Sequence, residues 1–261
     1  MSSVDILRTP GDKRPHEWGR DTEECVRHGG ESSRYFGYLA KAKLLEESRG
    51  LALPAPVAIP EGTNEWTRLA AHLWANRTVE ERLSVGICPS TNDDDEGTFA
   101  AGLALVLRET LNKKTLLIDL DFERPALAQA LGTPSGPGLL EFLASDPAIR
   151  FDCIHETMRR GVFVMPAGAT KNRLGAREFE KRLRWLHGVV MREFPVVVIR
   201  FPAVNSVRRM RRCWKIPDMT VLTVRPGASR SSEVRREAKK VRASRANLIG
   251  LVLSELERSK T

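Results

Sequence analysis

After about residue 80, short apolar segments alternate with longer segments whose apolar residues recur at helical spacing. The segment 115–121, Thr-Leu-Leu-Ile-Asp-Leu-Asp, is nearly all apolar, which is typical of a strand buried in a parallel sheet. Because parallel neighbours need a crossover connection, this alternation predicts an α/β fold with a doubly wound, mainly parallel β-sheet between two layers of helices. The predicted strands are 83–88, 115–121, 162–166, 196–200, 220–224 and 248–253, and the predicted helices are 64–76, 98–111, 138–144, 176–193, 205–213 and 231–244.

The N-terminal 60 residues have many charges and few periodic apolar positions, and they end in a proline-punctuated stretch at 51–60. We therefore expect residues 1–60 to be a flexible tail and linker with at most a short helix at 35–47, and residues 61–261 to form one α/β domain. An apolar content of 41% is enough for a core. No run of about 18 apolar residues occurs and the N-terminus is charged, so the expected location is the cytoplasm.

The four cysteines and the excess of positive charge exclude some classes of site and favour others. The four cysteines are Cys25, Cys88, Cys153 and Cys213. They have no CxxC or zinc-like spacing, so we expect reduced thiols and no metal centre. The net charge of +9 lies mostly after Arg150, where two basic runs occur. These runs are either solvated helix faces or a surface for anionic lipid, acidic protein or nonspecific nucleic acid. They comprise Arg208, Arg209, Arg211, Arg212 and Lys215, then Arg230, Arg235, Arg236, Lys239, Lys240, Arg242 and Arg245.

The loop between the first predicted strand and the next helix lies where a phosphate-binding Walker A loop would lie. Such a loop reads Gly-x-Gly-Lys-Ser/Thr, but here Glu96 stands at the lysine position. Carboxylates in this loop would repel a polyphosphate at close range. They either form a solvated loop that caps the following helix or, less commonly, converge on a metal ion. The altered loop reads Asp93, Asp94, Asp95, Glu96, Gly97 and Thr98.

The order of motifs over 62–253 resembles the bacterial tyrosine kinase family of polysaccharide assembly, which is related to the MinD and ParA ATPases. Its most specific stretch, Leu-Leu-Ile-Asp-Leu-Asp-Phe-Glu-Arg-Pro at 116–125, is similar to the family's second Walker motif. Glu65 and Arg68 match two positions of the family's ring-forming ExxRxxR helix, while Ala71 departs from the third. The resemblance implies a P-loop NTPase-like fold. Further matches are Pro-Ala-Gly at 166–168, Val-Arg-Pro-Gly at 224–227 and Ile-Gly-Leu-Val-Leu at 249–253.

The resemblance also assigns roles at the site. In the family, the loop lysine neutralises phosphate charge and the next hydroxyl residue holds Mg²⁺, but here Gly97 takes that second position. Asp119 and Asp121 match the acidic pair that orients the attacking group and supports the metal. As residues i and i+2 at the carboxyl end of a strand they are an active-site signal, but the alternative that they are partners for nearby arginines is favoured. We interpret Asp119 and Asp121 as vestigial catalytic residues, and the vestigial nucleotide-binding positions are Gly97, Thr98, Arg124 and Ser254.

Arg200 is the departure with the largest chemical consequence. It ends the strand 196–200, which resembles a Walker B strand, where an aspartate would help to hold Mg²⁺. A guanidinium is a donor only, and its fixed charge excludes a divalent cation from the same place. We hypothesise that an ion pair between Arg200 and Asp119, or an acid of the altered loop, has replaced nucleotide and metal.

Histidines and tyrosines provide little further signal. The five histidines have no spacing with Cys, Ser or Asp that indicates catalysis, and we expect them to be structural or on the surface: His16, His28, His72, His155 and His187. The family's autophosphorylated tyrosine cluster follows the last strand, where this chain has no tyrosine. Tyr35 and Tyr38 lie in the N-terminal tail.

The sequence therefore predicts a catalytically degenerate, tyrosine-kinase-like protein that acts as a binding or regulatory component of exopolysaccharide biosynthesis or export, with no cofactor and no metal. The expected partner is a polysaccharide chain-length (co-polymerase) membrane protein or a paralogous active kinase. Contact with an anionic surface through the basic helices would place the protein peripherally at the inner face of the cell membrane, and no specific nucleic acid is expected. Two alternatives remain: a divergent tyrosine kinase that binds ATP and Mg²⁺, or a ParA/MinD-like binder of DNA or membrane surface.

Overall fold

The computed structural model describes residues 63–92, 96–144, 152–169, 174–225 and 230–253. They form a seven-stranded sheet with the order β3-β4-β2-β5-β1-β6-β7, in which all neighbours are parallel except β3 and β4. Strands β1, β2, β4, β5 and β6 are buried along their whole length, because helices cover both faces of the sheet. The strands are β1 (Leu83–Pro89), β2 (Thr115–Asp119), β3 (His155–Glu156), β4 (Val162–Met165), β5 (Val196–Arg200), β6 (Met219–Val224) and β7 (Leu248–Leu253).

The helices are divided between two layers, each with its own apolar core. One layer contains α1, α2 and α3, whose buried side chains include Leu73, Leu103 and Leu127. The other contains α4, α5, a 3-10 helix and α6, with Phe179 and Val241 among its buried residues. The helices are α1 (Thr63–Ala75), α2 (Glu96–Leu111), α3 (Leu127–Leu131), α4 (Leu139–Ala144), α5 (Ala176–Glu193), the 3-10 helix (Arg208–Arg212) and α6 (Ser231–Ala243).

This architecture confirms the predicted doubly wound, mainly parallel α/β fold. Three elements have the bounds that the sequence predicts: β5, β7 and α5. Two short elements were not predicted, the helix α3 and the antiparallel edge strand β3. None of the described helices is long and apolar enough to cross a membrane. Cys88, Cys153 and Cys213 are buried thiols, as expected, and Cys25 lies outside the described residues.

The helix predicted over 205–213 is shorter in the structure, Arg208–Arg212, and is of the 3-10 type. Backbone N–H groups bond to carbonyls three residues earlier, from Met210 to Val207 at 3.1 Å and from Cys213 to Met210 at 2.8 Å. Met210, Cys213 and Ile216 are all buried. Met210 lies in the 3-10 helix, and Cys213 and Ile216 lie in the turns that follow it, so the buried positions continue at the spacing of a helix with three residues per turn.

Candidate functional site

The register of the sheet brings the last residues of two buried strands side by side. Asp119 ends β2, Arg200 ends β5, and the two are direct partners across the parallel ladder. Paired residues point to the same face of a sheet, so their side chains leave together at its carboxyl edge. β5 also pairs with β1, which leads into the altered loop. In open α/β sheets this edge is where ligands bind.

Arg200 is paired with both acids of the β2 motif. Its Nη1 lies 2.9 Å from Oδ1 of Asp119, and its Nη2 lies 3.2 Å from Oδ2 of Asp121. Nη1 also donates to the backbone carbonyl oxygen of Arg124 at 3.1 Å. The side chains are 3% exposed for Arg200, 1% for Asp119 and 8% for Asp121, so water contributes little to this arrangement. The ion pair hypothesised from the sequence is therefore present, and it includes a second acid.

The carboxylate of Asp119 accepts four hydrogen bonds. Oδ1 accepts from Arg200 and from the backbone N–H of Asp121 at 3.1 Å. Oδ2 accepts from the backbone N–H groups of Ala126 at 3.1 Å and Leu127 at 3.2 Å, where α3 begins. An ionised carboxyl group has about four lone-pair sites, so none remains for a metal ion or for the proton of a substrate hydroxyl.

Burial raises the pKa of the Asp119 carboxyl, while Arg200 and the three backbone donors act in the opposite direction. All four hydrogen-bond partners of Asp119 are donors, and none could accept a carboxyl proton. The guanidinium keeps its charge at any physiological pH. The geometry therefore fits an ionised Asp119 held by a cation.

Arg124 closes the loop that follows β2 over this pair. Its backbone N–H donates to Oδ1 of Asp121 at 3.0 Å, and its Nη1 donates to the carbonyl oxygen of Asn92 at 3.1 Å. Asn92 immediately precedes the altered loop, so Arg124 ties the segment after β1 to the β2 motif. The predicted vestigial nucleotide-binding residue thus makes protein contacts.

Gly97 is buried at the start of α2 and packs directly against the loop after β2. A Cβ atom at position 97 would lie 2.4 Å from Cβ of Ala126, closer than such atoms approach. A serine or threonine could not take the hydroxyl position of the motif here without displacing Ala126. Thr98, the remaining hydroxyl, is exposed. The surroundings of Gly97 therefore do not suit a hydroxyl ligand for Mg²⁺.

The other predicted site residues are placed as follows. Arg68 and Ala71 are exposed on α1, which also contains Glu65. Glu96 is the first residue of α2. The acids Asp93, Asp94 and Asp95, together with Ser254, Tyr35 and Tyr38, lie outside the described residues. Within the described ranges, no group of three or more His, Cys, Asp or Glu residues could hold a metal ion.

The sequence reasoning missed one polar cluster at the opposite, amino end of the sheet. Oγ of the buried Ser84 lies 2.6 Å from Nε2 of His187. Burial, with a smaller contribution from Arg184, lowers the pKa of His187 to about 4, so its ring is neutral. Ser84 also donates its backbone N–H to Asp218, whose pKa burial raises. His187 and Ser84 are 103 residues apart, so no local spacing could have indicated this contact.

Comparison with known proteins gives structural matches only. The sequence matches no protein-family model and no curated protein. The kinase domain of the Escherichia coli tyrosine kinase ETK superposes with a TM-score of 0.70 at 19% identity, over 82% of this chain and 86% of that domain. The BceF tyrosine kinase domain gives 0.65 at 20% identity, over 86% and 88%.

A third match lies outside the kinases. The septum site-determining protein MinD from Pyrococcus horikoshii, solved with Mg-ADP, gives a TM-score of 0.53 at 21% identity, over 65% of this chain and 68% of MinD. Identities this low show the fold, while the residues at the site decide the chemistry. The chain has the P-loop NTPase-like fold that bacterial tyrosine kinase domains share with MinD.

Proposed function

We propose that this protein is a catalytically degenerate relative of the bacterial tyrosine kinases and acts by binding other components of an exopolysaccharide assembly system. The observation that carries the proposal is the arrangement around Arg200. Its guanidinium pairs with Asp119 and Asp121, the two acids that would support a metal in an active relative. Nε of Arg200 is buried without a hydrogen-bond partner. The four acceptor positions of Asp119 are all filled from within the protein, so none is left for a ligand.

The size of the electrostatic effect supports this proposal. A divalent cation about 4 Å from a guanidinium is repelled by on the order of 8 kcal/mol at an effective dielectric constant of about 20. Micromolar binding corresponds to a total of about 8 kcal/mol. A repulsion of this size offsets the energy of micromolar binding for a divalent cation beside Arg200, and the two carboxylates that would attract the cation are already paired with the guanidinium.

A kinase-like fold whose nucleotide site, within the described ranges, lacks groups for Mg²⁺ and phosphate fits a protein that acts by binding partner proteins. The likeness to tyrosine kinase domains favours the partners of such domains, namely a polysaccharide chain-length membrane protein or a paralogous active kinase. In this role the protein would stabilise or inhibit its partner, with its location at the inner face of the cell membrane determined by that contact. The ion pair would hold the former nucleotide site in one conformation without a ligand.

Calorimetric titration with ATP and Mg²⁺, and with ADP and Mg²⁺, tests the proposal. We expect a dissociation constant in the millimolar range or weaker for the wild type. Thr98→Ala and Asp121→Ala should leave this weak binding unchanged, as should the surface control Arg209→Ala. A micromolar dissociation constant that is lost in Thr98→Ala or Asp121→Ala would refute the proposal and favour the divergent ATP-binding kinase.

A further inference from the structure

Positive charge is concentrated in two segments of the chain. Residues 205–215 and 230–245 together contain twelve arginines and lysines but only two acids, Glu233 and Glu237. By contrast, the described residues of 63–114, which lead through the opposite layer, contain five acids and six cationic residues. The charge of the protein is therefore asymmetric across the sheet. We name as the basic surface Arg208, Arg209, Arg211, Arg212, Lys215, Arg230, Arg235, Arg236, Lys239, Lys240, Arg242 and Arg245.

The two segments are adjacent in the fold. Nζ of Lys240 in α6 donates to the side-chain oxygen of Asn205, three residues before the 3-10 helix. Val241 of α6 and Met210 of the 3-10 helix are buried in the same core cluster. The 3-10 helix and α6 therefore lie in one layer, and their cations lie on the same side of the sheet.

The two acidic residues of these segments already have hydrogen-bond or ion-pair partners within the protein. Glu237 is 1% exposed and lies 3.1 Å from Nζ of Lys240 and 3.3 Å from Nε of Arg236. Glu233 accepts the backbone N–H of Arg230 at 3.0 Å, which caps α6. Arg235 and Arg242 are exposed and have no carboxylate partner among the described residues. Glu180 of α5 lies 3.8 Å from Nη1 of Arg212 and 3.1 Å from Nζ of Lys215, so these two cations are partly compensated as well. The cations still exceed the acids that pair with them, and such a surface attracts an anionic partner.

The uncharged side chains favour a lipid surface over a nucleic acid. The only aromatic residue in the two segments, Trp214, is fully buried, so no base could stack on it. Leu251, on the edge strand β7, is 54% exposed. It pairs in register with Leu222, which is buried in the core beneath α6, so Leu251 points to the same face of the sheet as α6. An apolar side chain beside a basic surface suits the boundary between lipid headgroups and acyl chains.

We propose that the basic surface binds the protein directly to an anionic phospholipid bilayer, with headgroup phosphates against the arginines of α6 and the 3-10 helix and Leu251 at the acyl boundary. This binding does not depend on the state of the nucleotide site, so it stands or falls separately from the proposed pseudoenzyme function. It requires no transmembrane helix, because several basic residues and one apolar contact are enough for reversible attachment.

The test is sedimentation of the full chain with vesicles, without nucleotide. The vesicles contain phosphatidylcholine alone or with about 30 mol% phosphatidylglycerol, in salt from about 50 to 300 mM. We expect binding only to the anionic vesicles, and loss of that binding as salt rises. Each basic residue near such a surface contributes about fivefold, so Arg235→Glu with Arg242→Glu should weaken binding by at least about 25-fold. Leu251→Ala, which leaves the charge unchanged, should weaken binding by a few-fold.

The matched control is Arg159→Glu with Arg160→Glu, an equal charge change at exposed positions in the turn between β3 and β4. It should retain most of the vesicle binding. Equal binding to neutral and anionic vesicles would overturn the proposal, as would an equal loss of binding in the two double variants. Tighter binding to duplex DNA than to anionic vesicles at the same salt, unaffected by Leu251→Ala, would identify the surface as a nucleic-acid site and overturn it as well.

Discussion

Arg200→Ala is expected to destabilise the fold far more than any substitution on the protein's basic surface. The substitution removes a side chain that is 3% exposed and bonded to two carboxylates and one backbone carbonyl. Asp119 and Asp121 would remain in place at 1% and 8% exposure without their cation. The carbonyl oxygen of Arg124 would lose a donor as well.

The magnitude follows from leaving buried charges uncompensated. Removing one partner of a buried ion pair typically costs about 3 to 5 kcal/mol. Asp119 keeps its three backbone donors, which places the expected loss inside that range rather than above it. For a domain of this size, each kcal/mol lowers the melting temperature by about 2 to 4 °C, so a decrease of about 6 to 20 °C is expected.

Thermal melting followed by circular dichroism measures this difference, with Arg209→Ala as the matched control. Arg209 is exposed on the 3-10 helix, and its removal should change stability by no more than about 0.5 kcal/mol. Arg200→Met combined with Asp121→Asn should recover part of the loss of Arg200→Met alone, because Asp119, which keeps three backbone donors, is then the only one of the two carboxylates left charged.

Equal melting temperatures for Arg200→Ala and Arg209→Ala would refute the structural role of the Arg200 ion pairs. It is also refuted if Arg200→Met and the double variant Arg200→Met, Asp121→Asn are equally unstable, because the cost would then not come from the unpaired carboxylate of Asp121. In either case Arg200 would have to be explained as part of a ligand or partner surface.

Three further predictions concern the altered loop, association and pH. Glu96→Lys alone should not produce ATP hydrolysis in a phosphate-release assay, because Arg200 still holds Asp119 and Asp121; measurable turnover would contradict this. Light scattering should give a monomer or weak oligomer, since Ala71 stands at the third position of the ring helix; a nucleotide-independent octamer at micromolar concentration would contradict it. The free energy of unfolding should fall by about 3 kcal/mol as the pH falls from 6.5 to 4, because His187 has a folded pKa of about 4 and the unfolded chain binds the proton first. His187→Gln should reduce that pH dependence in denaturant titrations, and an unchanged slope would show that His187 is not its source.

The strands were predictable because five of the seven are buried on both faces and are therefore apolar throughout. The 3-10 helix was not, since Met210, Cys213 and Ile216 at a spacing of three also fit an α-helical pattern. The strand β3 is two residues long, and α3 is five. Elements this short are stabilised by tertiary contacts rather than by local propensity, so the sequence contains little signal for them.

At the site, the sequence predicted which side chains would pair, but it did not predict all of their hydrogen bonds. The resemblance to the family's Walker motifs implied that Arg200 and Asp119 face one another, and the expected pairing followed from their charges; the two are partners in the register of β2 and β5. Asp121 was expected to continue the strand, but β2 ends at Asp119 and the chain turns so that the N–H of Asp121 donates back to Oδ1 of Asp119. The backbone donors of Ala126 and Leu127 could not be found from side-chain identities, because any residue other than proline supplies the same N–H group.

The central claim is that an internal ion pair occupies the place of the metal, and Mn²⁺ binding tests it most directly. Mn²⁺ prefers the same oxygen ligands as Mg²⁺, and the free ion is detected by electron paramagnetic resonance. With protein and Mn²⁺ at about 0.1 mM each, with or without ATP, a dissociation constant of about 1 mM or weaker leaves roughly nine-tenths of the protein unoccupied. We predict that adding the wild-type protein leaves the free-ion signal nearly unchanged, both for Mn²⁺ alone and relative to Mn²⁺ with ATP. Stoichiometric loss of that signal in the wild type, restored by Asp121→Ala, would contradict the claim.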